Sequence, residues 1–65
     1  MIEHLTGRET DILRYLPTMF KANEIAADLY VSVNTVKAHL RSIYRKLGAG
    51  NRREAVERAK TLGLL

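Results

Sequence analysis

The sequence predicts an all-α, compact four-helix domain containing a helix-turn-helix, and three observations lead there. Apolar residues recur at helical spacing in four segments. Capping residues precede most of those segments, and a glycine or a proline follows most of them. At 65 residues the chain holds one domain, 1–65, with one small core and no cysteine, so helix packing must supply its stability.

The elements follow in chain order. Thr6-Gly7-Arg8-Glu9 has the form of a capping box and opens an apolar stripe of Ile12, Leu13 and Leu16, which predicts a first helix from about Gly7 to about Leu16. Pro17 ends it, because proline cannot continue the hydrogen-bond ladder. Ile25, Ala26 and Leu29 mark a second helix near Ala22 to Leu29, whose cap is Lys21 or Asn23, of which only asparagine is a good one. Tyr30-Val31-Ser32 is the connection, and Ser32 caps a third helix that runs to Leu47 and stops at Gly48. So short a connection forces the two helices to cross steeply, with Ala26 small enough for close approach. Asn51-Arg52-Arg53-Glu54 opens a fourth helix that buries Ala55, Val56, Ala59 and Leu62 and ends at Gly63.

Charge singles out the third helix. The formal net charge is +4. No acidic residue stands between Asp28 and Glu54, while Lys37, Arg41, Arg45, Lys46, Arg52 and Arg53 all fall there. Such local excess is the footprint of a polyanion-binding surface. Val36, Leu40, Ile43 and Leu47 form one core-facing stripe, which leaves Asn34, Lys37, Ala38, Arg41 and Arg45 on the opposite arc. A helix of this kind fits the major groove, where Lys37 and Arg41 can donate to guanine and Ala38 can approach a thymine methyl. Ser32, Asn34 and Thr35 at the helix start suit phosphate oxygens, and Arg45, Lys46 and Arg52 further on suit the nucleic-acid backbone.

These residues resemble the LuxR-type, or GerE-type, DNA-binding domain over essentially the whole chain. The likeness rests on Leu5-Thr6-x-Arg8-Glu9, Glu24-Ile25-Ala26, Leu29, Val31-Ser32, Asn34-Thr35-Val36-Lys37-x-His39, Lys46-Leu47-Gly48, Arg52, Ala55-Val56 and Gly63-Leu64, in register without a gap. Leu16-Pro17-Thr18 and Ile43-Tyr44-Arg45-Lys46-Leu47-Gly48 look like the C-terminal domains of large members related to the maltose regulator. The resemblance implies a C-terminal output domain, excised from a larger bacterial regulator whose upstream part senses a signal. It also implies a third helix in the major groove, Lys37, Ala38 and Arg41 toward bases, Thr35 and Lys46 toward phosphates, and a fourth helix that pairs two copies on DNA. Met19 and Lys21 depart from the family pattern, which bears on loop geometry rather than on the groove-facing residues.

The partners expected are therefore double-stranded DNA, a second copy in a weak homodimer on an inverted repeat, the upstream sensory domain and RNA polymerase. Pairing falls to Val56, Ala59 and Lys60 of the fourth helix. In similar domains the positions of Glu9 and Arg52 often pair across the fold, an alternative to a cap for the one and a phosphate contact for the other. His39 is read as a packing or phosphate residue, His4 as solvated, Tyr44 as packing, and Met19 and Phe20 as filling the gap after the first helix. No phosphate loop, paired nucleophile or metal-ligand spacing occurs, so no enzyme activity, cofactor or metal is expected. The absence of a membrane-length apolar run and of an apolar signal core suggests a cytoplasmic setting without membrane contact. An acidic protein partner for the basic face and RNA are the competing readings; A-form RNA hides its major groove from a helix.

Overall fold

Thr6 starts the first turn as the sequence requires: its hydroxyl accepts from the Glu9 amide at 3.2 Å, and the Glu9 carboxylate accepts from the Thr6 amide at 2.9 Å. In the computed structural model, which describes residues 3–65, this capping box opens α1, Gly7–Leu13. The chain continues through α2 (Ala22–Leu29), α3 (Val33–Leu47) and α4 (Arg52–Thr61), with no strand among the described residues.

Helix α1 ends one turn earlier than its apolar stripe predicts. After Leu13 the ladder tightens, with Tyr15 and Leu16 donating to Ile12 and Leu13 and Thr18 donating to Tyr15, each at 3.0 Å. Pro17 forbids a longer helix, yet the tightened turn still carries Leu16 into the core. The segment that follows corrects a second expectation: Met19 is 94% exposed and Phe20 lies at the surface, tilted against Tyr15 with ring centroids 5.4 Å apart. Neither fills the gap after α1.

The start of α2 has half a capping box. Lys21 is the N-cap position and its side chain can accept nothing, but its amide donates to the Glu24 carboxylate at 2.8 Å. The helix closes on Tyr30, which adopts the left-handed conformation at φ 58° with its side chain 95% exposed. Its neighbour Val31 donates back to the Ala26 carbonyl at 3.0 Å, so the chain reverses within two residues and α3 begins at once.

Helix α3 is the hub, packing against α1, α2 and α4. Its Val36, Ile43 and Leu47 meet Ile12, Leu13 and Leu16, Ile25 and Ala26 of α2, and Ala55 and Ala59 of α4 in one core. Leu40 and Val56 border it, half-buried. Gly48 ends α3 at φ 67°, where a side chain is strained, and a Cβ there would stand 3.2 Å from an Arg58 guanidinium nitrogen. Arg58 uses that closeness, donating through Nε to the Leu47 carbonyl at 3.1 Å and capping the end of α3. Leu62 follows the last helical residue of α4 and is 42% exposed, so it does not join the core as its spacing predicts.

Candidate nucleic-acid interface

A serine hydroxyl fixes where α3 points. The Ser32 Oγ accepts from the Thr35 amide at 3.0 Å and lies 2.8 Å from the Thr35 hydroxyl. The first amides of α3, at Val33 and Asn34, precede the helical ladder and form an open, electropositive end. Ser32, Asn34 and Thr35 are all exposed there. With Val36 and Ile43 fully buried, the opposite face is solvent-facing by necessity, and Lys37, Ala38 and Arg41 lie exposed on it. Neither Lys37 nor Arg41 forms an ion pair among the described residues. The arrangement is a protruding helix face with two long cations around a methyl group, beside free helix-end donors.

The remaining cations predicted to meet phosphate are held differently. Lys46 reaches from the last turn of α3 to α1, its Nζ 2.7 Å from the Glu9 carboxylate and 3.2 Å from the His4 carbonyl. The pair is shut away from water, with side-chain exposures of 10% for Lys46 and 4% for Glu9. Burial pushes the Glu9 carboxyl up, but hydrogen bonds from Lys46, Ser42 and the Thr6 amide outweigh it and bring it down to about 2. Lys46 thus spends two of its three ammonium donors inside the fold, where it holds α3 against α1.

Arg52 is also engaged within the fold. Its Nε donates to the Leu16 carbonyl at 3.0 Å, and its Nη2 donates to Tyr15 at 3.0 Å and Thr18 at 2.9 Å. These carbonyls lie in the tightened turn and loop around Pro17 that follow α1, and Arg52 ties that segment to α4. It does not pair with Glu9; that partner is Lys46. Arg45 remains exposed at 63% and lies 3.0 Å from the Glu3 carboxylate. On α4, Ala59 is 0% exposed inside the core, so it cannot meet a second copy. Lys60 is exposed and Val56 half-buried, and only these two of the three predicted pairing residues reach the surface.

His39 is half-buried beside the core stripe, and burial pushes the Tyr44 phenol up, in keeping with a packing role. The contacts that the sequence reading missed, Lys46 to Glu9 and Arg52 to three carbonyls, span 34 to 37 residues and are set by helix packing. Among the described residues no helix is long and apolar enough to cross a membrane.

Comparison with known proteins places this geometry. The family model of bacterial regulatory proteins, luxR family, matches residues 3–59. The chain is 40% identical over 58 residues to the HTH-type transcriptional regulator MalT of Serratia proteamaculans, and 38% identical to that of Yersinia enterocolitica. Each alignment covers 89% of this chain but only 6% of the relative, so the chain spans a small fraction of those regulators. Among solved structures, the response regulator ChrA of a heme-sensing two-component system superposes with a TM-score of 0.92 at 40% identity, covering 97% of this chain and 31% of ChrA. The transcription factor GerE gives 0.86 at 34% identity, covering 94% of this chain and 91% of GerE.

Proposed function

The chain belongs to the luxR family of bacterial regulatory proteins, a family of DNA-binding transcription regulators, and from that premise we propose how it reads its site. Helix α3 enters the major groove of double-stranded DNA with Lys37 and Arg41 donating to base edges and Ala38 against a methyl or a close base. Ser32, Asn34, Thr35 and the first amides of α3 hold one phosphate strand, and Arg45 meets a phosphate further along. The observation that carries this reading is the exposed outer face of α3, whose Lys37 and Arg41 are committed to no acid among the described residues.

The domain acts as the output module of a larger regulator, consistent with the small share of MalT and ChrA that it spans. One recognition helix reads few base pairs, so two copies occupy an inverted repeat with half-sites about one helical turn apart, paired through the outward face of α4 around Val56 and Lys60. The pairing is weak, because so small a helix face falls short of the roughly 1,200 Å² that stable interfaces bury.

Selection of binding sites from random duplexes at near-physiological salt tests the proposal. A preferred sequence with two-fold symmetry, bound cooperatively, is the expected result, and Lys60→Glu should lower cooperativity while sparing one half-site. Binding without sequence preference, or preference for an acidic protein or RNA over duplex DNA, overturns it.

A further inference from the structure

The segment before α1 lies on the last turn of the recognition helix. Two adjacent residues make the contact: the Glu3 carboxylate sits 3.0 Å from an Arg45 Nη1, and the His4 carbonyl accepts from Lys46 Nζ at 3.2 Å. The next residue, Leu5, packs against the core, and Thr6 and Glu9 close the capping box. The buried Lys46 to Glu9 pair and Leu5 therefore fix the path of this segment and deliver Glu3 to Arg45. The two ends of that contact differ in kind. Lys46 is locked, whereas Arg45 and Glu3 are 63% and 59% exposed and so exchangeable.

We propose that Glu3 is a built-in competitor for the phosphate that Arg45 meets on DNA, an inference that rests on the phosphate role given to Arg45 above. A carboxylate and a phosphate diester offer the same guanidinium the same kind of anionic oxygen pair. While Glu3 holds Arg45, the cation contributes little to duplex attraction; if Glu3 stays near as DNA arrives, its charge repels the backbone. A domain joined upstream acts through this same segment. Drawing residues 3–4 away from α3 frees Arg45 and raises affinity, and pressing them onto α3 lowers it, without any change in α3 itself.

The test compares the 65-residue chain with Glu3→Gln, Arg45→Ala and the double variant on one duplex over a range of salt. Exposed pairs are weak, so Glu3→Gln should tighten binding by about two- to five-fold at low salt. It should also steepen the salt dependence by up to about one counterion, because one more cation becomes available to phosphate. In the Arg45→Ala background the same change should have no effect. Equal tightening in both backgrounds, or none in either, overturns the competitor role. If Glu3→Gln does nothing while Arg45→Ala weakens binding and flattens the salt slope, the phosphate role of Arg45 stands and only the competition falls. If Arg45→Ala alters neither affinity nor slope, both fall together.

Discussion

The outer face of α3 and its last turn carry the same residue types and have opposite fates. On the outer face Lys37 and Arg41 extend into solvent with no acid to neutralise them among the described residues. At the last turn Lys46 is buried on Glu9, and close by on α4 Arg52 and Arg58 are spent on backbone carbonyls where α1 and α3 end. The difference lies in what stands opposite. A helix end presents unpaired carbonyls, and a small domain with no cysteine closes those ends with long cations. Net positive charge therefore overstates the surface available to DNA: part of it is structural mortar.

That contrast can be broken from either side. Lys46→Ala should have the largest effect, costing about 3 to 5 kcal/mol in a urea titration because it leaves Glu9 buried and unpaired. Replacing the pair together, Lys46→Met with Glu9→Leu, should recover much of the loss. An acid titration probes the same pair without mutation. The Glu9 carboxyl is lowered from its ordinary 4.5 to about 2 in the folded state, so its contribution is fully present above pH 4.5 and is lost as pH falls through 2. The loss should be on the order of 3 kcal/mol, and Glu9→Gln should abolish that part of the pH dependence. Arg52→Ala comes next, at about 2 to 3 kcal/mol of stability, since three carbonyls lose a charged donor.

On the outer face the effects move from folding to binding. Arg41→Ala and Lys37→Ala should each weaken cognate binding by about 1 to 3 kcal/mol and leave thermal stability nearly unchanged. Scrambled duplex should notice them much less. Arg45→Ala should be the mildest, reducing the salt slope by about one without changing the preferred sequence.

The sequence made the helices legible because their signals are local. Thr6 with Glu9, Ser32 before α3 and Asn51 with Glu54 cap where their spacing predicts, and the Val36, Ile43 and Leu47 stripe is buried. The end of α1 was less legible, because the Leu16 side chain can stay in the core while its backbone leaves the helix. Partners of the long cations were the least legible, since they depend on which helix end the fold brings within reach. A signal did exist for Lys46. At about 100° per residue it lies beside the core stripe, seven residues after His39, rather than on the arc of Arg41 and Arg45. Ala59 carried a similar signal, falling one turn after buried Ala55.

The most direct measurement follows backbone and lysine side-chain resonances of the chain during titration with its selected duplex. The largest shifts should fall at Asn34, Thr35, Lys37, Ala38 and Arg41, while the Lys46 ammonium keeps the signature of its buried partner. Shifts centred on the Tyr15 and Phe20 surface or on α4, with Lys37 and Arg41 unmoved, would contradict the assignment of the outer face of α3 as the reading surface.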